Sequence, residues 1–428
     1  MSWALIFRIR QYLKGSLWVL PALGGVAGVV LAGLDERLEH GIHLPEAWQY
    51  SADTASSVLT SIVAAAIGLL GFVVTISVLV VQMATGTLSP RFMRLWYRDR
   101  MQKIVLAALT ATFAFAFGLL RRIQQDSVPS LGVTVAGVAV GGSVLLLLVY
   151  LEHFAHGLRP VAVAAKVAAA GRAVVLAIAE ELPGTAAGPS PTTGKPLLTV
   201  RSRRSGVIQA VHHRELVRTA VRHDCVLALT HAVGDFVPPG ATVVEVYGPR
   251  RAPGRRRLAA MVALGQERTI DQDPAFALRI LVDIAIRGLS PAVNDPTTAT
   301  QVLDYVEDLM QALGQADIPS PRQIRDRDGR VRVVLPSPAW EDYLSLAVTE
   351  TRQYGATSPQ VCRRLRAMLA ELHDIVRPDR QSAVTAELTA LDAIVQRSFT
   401  DAAERAFAAG ADRQGIGGST LPGPAPPA

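Results

Sequence analysis

The chain has 428 residues, half of them hydrophobic and 18% charged, with a formal net charge of +7. Its mean hydropathy is positive, which argues against an ordinary soluble protein. Its two cysteines, Cys225 and Cys362, exclude a disulfide framework or a cysteine zinc site. The basic residues are almost all arginine, in short runs at Arg201, Arg203 and Arg204 and at Arg250, Arg251 and Arg255 to Arg257. Only Tyr247 beside them could stack on a base, so no nucleic-acid partner is expected.

The apolar residues concentrate before about Phe154. A basic arm (Arg8, Arg10, Lys14) leads into the run Ser16–Leu34, with Pro21 near its start. No small-residue cleavage site follows, only Asp35-Glu36-Arg37, so this is a retained membrane helix rather than a signal peptide. A helix needs about 20 apolar residues to cross a bilayer. Three more runs meet that length, at about Ser57–Met83, Met101–Leu120 and Leu131–Leu151. The fold class expected is an α-helical membrane domain of four transmembrane helices (1–158) followed by a cytoplasmic α+β domain. The loop after the first run is acidic (Asp35, Glu36, Glu39, Glu46, Asp53), and the loop after the second is basic (Arg91, Arg94, Arg98, Arg100, Lys103). Basic loops stay inside, which places both termini in the cytoplasm of a bacterial plasma membrane. Arg121 and Arg122 are the discordant pair.

The second run carries no charge from Thr54 to Pro90. As one helix it would reach about 55 Å, so it is expected to tilt, to project, or to break near Gly86 or Ser89-Pro90. Ser57, Ser61, Ala64, Gly68, Gly71, Thr75 and, after a gap at Val78, Gln82 recur at steps of three and four on one face. Two roles fit this face, close helix packing and the lining of a pore. "QMATGTLSPRFMRLWYRDR" then leaves the membrane, with Arg91, Arg94 and Arg98 beside Trp96 and Tyr97 as an interfacial anchor or a basic ring at a cytoplasmic mouth. No ionisable residue lies mid-span, the nearest being Glu152 and His153, which disfavours a proton-coupled carrier.

Residues 159–196 read as a connecting helix and a Pro/Gly linker. A small β-rich subdomain is expected over 197–266, with strands at "LLTVRS", "GVIQAV", "CVLALTHAV", "ATVVEVYG" and "RRLAAMVAL" and a helix at "HHRELVRTAVRHD". "VGDFVPPGATVVEV" resembles the turn of lipoyl-like hammerhead folds, but no lysine stands at a carrier position. His212, His213, His223 and His231 match no zinc spacing, so no metal and no cofactor are expected. A mainly helical subdomain follows over 267–408, with helix starts at Asp273-Pro274 and Asp295-Pro296 and a hairpin strand within "DRDGRVRVVLPSP". Residues 409–428 have the composition of a disordered tail.

"IRGLSPAVNDPTTATQVLD" joins two of these helices. Pro291 and Pro296 fix dihedrals, while Ser290, Asn294 and Asp295 can bond local amides. The loop is a stiff joint, with Asn294 and Asp295 as the candidates for any further role. This loop, "VQMATGTLSPRFMR", "ERTIDQDPAFALRILVDIAIRGLSPAVNDPTTA" and the four-span plan resemble bacterial predicted membrane proteins of the domain of unknown function 2254 family, over about residues 1–405. The resemblance implies membrane helices with a cytoplasmic domain and assigns no activity.

No nucleophile–base pair, phosphate loop or metal site is visible, so an enzyme is not expected. The leading expectation is a homo-oligomeric channel or pore for a small ion or solute, lined by the second span and gated by the cytoplasmic domain. The alternative is a non-conducting scaffold or sensor whose cytoplasmic domain binds a partner or small effector.

Overall fold

The structure, a computed structural model, describes residues 3–39, 49–87, 98–125, 127–157, 159–181, 192, 194–248 and 252–418. It divides into two compact units, Gln11–Arg159 and Met1–Arg10 with Pro160–Ala428.

The first unit is helical. α1 (Trp3–Gly15) starts in the second unit and ends in this one; α2 (Val19–Glu39), α3 (Ala52–Thr87), α4 (Arg100–Leu120) and α5 (Ser130–Gly157) follow. The first run thus lies almost wholly in α2, which meets α1 across Ser16–Trp18 with a bend of 77°. Pro21 sits in the first turn of α2, where its missing N–H costs nothing. α3 continues unbroken through Gly86 to Thr87, whereas Ser89-Pro90 lie outside the described residues. By length and composition, Ala52–Gln82, Arg100–Leu120, Ser130–Gly157 and Pro160–Glu180 could each cross a membrane, and the bent pair would be a fifth span.

Two apolar layers hold the bundle. Ala32, Leu59, Ile62, Phe115, Leu119 and Val133 form one. Val73, Val105, Leu109, Leu147 and Tyr150 form the other. Backbone approach is closest between α2 and α4. A Cβ added at Gly24 would lie 2.4 Å from the Ala107 carbonyl oxygen, and one at Gly28 would lie 2.3 Å from that of Ala111. Two glycines four apart facing two alanines four apart let these helices touch at the backbone, where dispersion, not water release, holds helices together in lipid. Between helices, Gln102 Nε2 donates to Ser77 Oγ at 2.9 Å and the Thr112 and Ser143 hydroxyls are 3.3 Å apart. Arg122 Nη1 donates to the Ala32 carbonyl of α2 at 2.8 Å.

The second unit begins with α6 (Pro160–Glu181), apolar enough for a span but packed here through Val163, Ala164, Val167, Ala168 and Val175. A Cβ at its Gly171 would meet Ala277 at 2.8 Å and Leu309 at 2.9 Å. Next come β1 (Leu198–Arg201), β2 (Gly206–Val211), α7 (His213–Arg222), β3 (Val226–Leu229), β4 (Phe236–Val237), β5 (Thr242–Tyr247), α8 (Arg255–Ala259) and β6 (Val262–Gly265). The helices α9 (Pro274–Gly288) and α10 (Pro296–Gln315) precede β7 (Arg322–Arg325) and β8 (Val331–Leu335). α11 (Trp340–Tyr354), α12 (Pro359–Ile375), α13 (Gln381–Ser398) and α14 (Ala402–Ala408) close the unit.

One sheet runs β1-β5-β3-β8-β7 and a smaller one β4-β2-β6. All pairings are antiparallel except β3 with β8. The first sheet takes strands from both sides of residue 266, so it crosses the division expected there. Ile208, Leu216, Leu227, Val244, Leu258 and Val333 share its core. Two further expectations need correction. Part of "RRLAAMVAL" is the short helix α8, because Arg, Leu and Ala after Gly254 favour a helical turn before β6 starts at Val262. The tail is placed as far as Gly418, since the buried Asp412 carboxylate accepts from the amides of Gln414, Gly415 and Gly417. Arg363, itself buried, adds a bond to the Gly418 carbonyl. Residues 419–428 lie outside the described residues.

The N-terminal arm also finds a seat in this unit. The Ala4 amide donates to the Ala260 carbonyl at 3.1 Å, Ala4 packs on Ala210 and Ala263, and Trp3 meets the His212 ring edge-on at 4.8 Å.

The α2–α4 contact yields the first expectation. Gly28→Val should destabilise the detergent-solubilised protein by about 1–3 kcal/mol through overpacking. Gly68→Ala, with nothing within 4 Å of the new methyl, should not. Thermal unfolding of the two variants separates them.

Candidate functional site

α3 has two opposed stripes. Ala55, Leu59, Ile62, Ala66, Val73 and Val80 are buried in the bundle. Ser57, Ser61, Ala64, Gly68, Gly71, Thr75 and Gln82 are exposed on the other side. At about 100° per residue the two sets lie on opposite faces of the helix. A Cβ at Gly68 or Gly71 would meet nothing within 4 Å, so these glycines do a different job from those of α2. Two of its hydroxyls fold back on their own helix: Ser61 Oγ donates to the Ser57 carbonyl and Thr75 Oγ1 to that of Gly71, both at 2.9 Å. The face is therefore smooth, uncharged and weakly polar. Towards its N-terminal end, Ser57, Ser61 and Ala65 line a shallow groove of about 410 Å³ with Val58, Ile62 and Val140.

Polar residues gather at the start of α4. Asp99 caps it by accepting from the Met101 amide at 2.8 Å and pairs with His153 Nε2 at 3.1 Å. Arg98 bonds the Gln11 side chain, and the buried Lys103 ammonium donates to the Lys14 carbonyl. Arg91 and Arg94, the other members of the expected basic group, lie outside the described residues, as do Arg250 and Arg251.

The Ser290–Pro296 loop makes a dense local network. The Val293 and Asn294 amides donate to the Ser290 carbonyl, the Asp295 amide donates to that of Gly288 at 2.7 Å, and Ser290 Oγ donates to that of Arg287. Asn294 holds φ at +48°, a left-handed conformation that Asn adopts more readily than most residues. Asp295 then caps α10 by accepting from the Thr298 amide at 3.0 Å, with Pro296 in the first turn. Pro291 and Asn294 face solvent. The loop ends one helix and starts the next without spending any of these groups on a third element.

The histidines are dispersed. His212 caps α7 through Nδ1, which accepts from the Glu215 amide, and His231 bonds the Thr230 hydroxyl. Sequence reasoning missed two sites. The arginine runs at 201–204 and 255–256 meet Arg8 around one open cavity, a tertiary juxtaposition with no local signal. Asp273, which caps α9 by accepting from the Phe276 amide at 3.1 Å, is buried, and its Oδ2 has no hydrogen-bond partner among the described residues. Burial pushes its carboxyl up to about 6. Gly234, at φ +97°, leaves room for it, because a Cβ there would lie 2.5 Å from Oδ2.

Several apolar helices of membrane-spanning length followed by a mixed α/β region are the plan of a membrane protein. The chain belongs to the predicted membrane protein family called domain of unknown function 2254, whose model matches residues 14–371. It is 31% identical over 429 residues to the uncharacterized protein Rv1290c of Mycobacterium tuberculosis strain H37Rv, covering 94% of this chain and 80% of that one. The same identity and coverage relate it to the uncharacterized protein Mb1321c of Mycobacterium bovis. No solved structure matches the chain.

Asp273 yields a pH expectation. With a folded value of about 6 above a reference of 3.8, the carboxyl holds its proton longer in the folded state. Its contribution to stability is complete below about pH 4 and is lost as pH rises to about 6. Asp273→Asn keeps an oxygen for the cap and removes this titration, a difference on the order of 3 kcal/mol. Unfolding measured across that range should be flatter in the variant, and identical slopes would refute the assignment.

Proposed function

We propose that this protein is a homo-oligomeric channel or pore of the bacterial cytoplasmic membrane, passing a small ion or solute along the small face of α3. The observation that carries the reading is the exposed stripe from Ser57 to Gln82. A helix side left to lipid gains from long apolar side chains, whereas small residues pay off only where another backbone comes close. Alternating steps of four and three approximate the repeat that winds neighbouring helices around one another with a left-handed twist. Around a central axis such helices would offer Thr75 and Gln82 as polar rungs between apolar constrictions that gate by dewetting. The basic residues around Arg98 and the acidic ones around Asp53 orient the chain with both termini and the C-terminal unit in the cytoplasm. There the C-terminal unit would assemble and gate the subunits. Arg91, Arg94 and Arg98 at the inner mouth would favour anions. A second reading, a non-conducting sensor, draws on the arginine-lined cavity.

Particle mass in detergent and single-channel currents in asymmetric salt test the proposal. The wild type should be an oligomer with reproducible currents. Thr75→Leu should change the conductance by at least about twofold, and Gly71→Leu should weaken assembly while leaving each chain folded, because a Cβ at position 71 meets nothing within 4 Å among the described residues. A monomeric wild type, or a silent oligomer, would overturn the pore.

A further inference from the structure

The second unit contains an open cavity of about 750 Å³ whose rim carries six arginines: Arg8, Arg201, Arg203, Arg204, Arg255 and Arg256. They come from three distant parts of the chain, the N-terminal helix, the β1–β2 turn and α8. Val200, Val243, Val262 and Leu264 form an apolar floor. Two of the guanidinium groups are held by backbone: Arg204 Nη2 donates to the Leu264 carbonyl at 3.1 Å and Arg201 Nη1 to that of Gly240 at 3.0 Å. A Ser202 side chain that accepts from the Arg204 amide and donates to its carbonyl shapes the turn between them.

None of the six has a carboxylate partner among the described residues. Other arginines of this unit lack one too, Arg363 and Arg380 bonding backbone carbonyls instead, but the six are gathered around one cavity. Arg257, next to two of them, pairs with Glu215 at 2.7 Å and does not line the cavity. Arg332 pairs with Asp224 and Asp326, Arg364 with Asp304 and Glu307, and Arg377 with Asp317. Arginine cannot shed its proton to relieve crowding, so guanidinium groups gathered around one cavity without a carboxylate are relieved by an anion. Desolvation and the nearby Arg8 both push Arg204 below its usual range. Arginine is also the residue whose planar donor fork matches phosphate oxygens two at a time.

We propose that this cavity binds a phosphate-bearing anion with more than one negative charge, held by the arginine rim, with any apolar portion on the valine and leucine floor. The chemistry is the same for a free polyphosphate ester and for anionic lipid headgroups. Because Arg8 rides on α1, whose Ala4 is bonded to Ala260 beside the cavity, the ligand would also fasten α1 to this unit. The site does not depend on conduction by α3.

The full chain in phosphatidylcholine nanodiscs is titrated with inorganic pyrophosphate, and in parallel placed in phosphatidylglycerol nanodiscs with no added anion. Saturating pyrophosphate should raise Tm by about 5 °C or more if the anion is free. A rise confined to the phosphatidylglycerol discs assigns the site to a headgroup. In either case Arg8→Gln with Arg204→Gln should weaken binding about tenfold or more, as should Arg255→Gln with Arg256→Gln. Arg330→Gln, on the exposed β7–β8 turn, should not. All these side chains lie near the surface, and an unchanged Tm without ligand reports intact folding. No shift in either disc, or a shift that survives both double variants, overturns the proposal.

Discussion

α3 has two faces, and among the described residues only one of them is buried in the bundle. Its buried stripe from Ala55 to Val80 is committed to the bundle. The opposite stripe, from Ser57 to Gln82, carries serine, glycine, alanine and threonine where a lipid-facing helix gains from leucine or valine. The rest of the functional account depends on that asymmetry.

The same residue type does two jobs in this bundle. Gly24 and Gly28 are filled at once by the backbone of α4, and the Gln102–Ser77 and Thr112–Ser143 contacts tie α4 to α3 and to α5. Among the described residues nothing comes within 4 Å of a Cβ added at Gly68 or Gly71. A polar pair between helices specifies one packing more than it stabilises it, since in lipid such bonds are worth about 1 kcal/mol. The seam therefore holds the helices of one chain together, and the proposed assembly draws on the exposed stripe instead.

Much of this architecture is legible in the sequence where the signal is local. The helix starts at Asp273-Pro274 and Asp295-Pro296 follow from capping chemistry, and the inward positions Ile280, Leu281, Val302 and Val306 follow from a period of 3.6. The small face of α3 follows from spacing alone. What escaped notice is non-local. Nothing near Trp3 announces that it will meet His212, and a strand-like run does not reveal that Arg255 to Ala259 will coil first. A Gly- and Pro-rich tail reads as formless until Asp412 is seen gathering three amides. The arginine cavity is the extreme case, since Arg8, Arg204 and Arg255 are brought together only by the folded unit.

The central claim is that the open stripe of α3 faces the same stripe on another copy. Disulfide cross-linking in native membranes tests it most directly. With Cys225 and Cys362 replaced by serine, single cysteines would be placed along the stripe at Ser57, Ser61, Ala64, Gly68, Gly71 and Thr75, and off it at the exposed Ile67 and Val74. The account predicts dimeric products from the stripe positions and little from Ile67→Cys or Val74→Cys. Equal cross-linking from both sets, or none from the stripe, would contradict it.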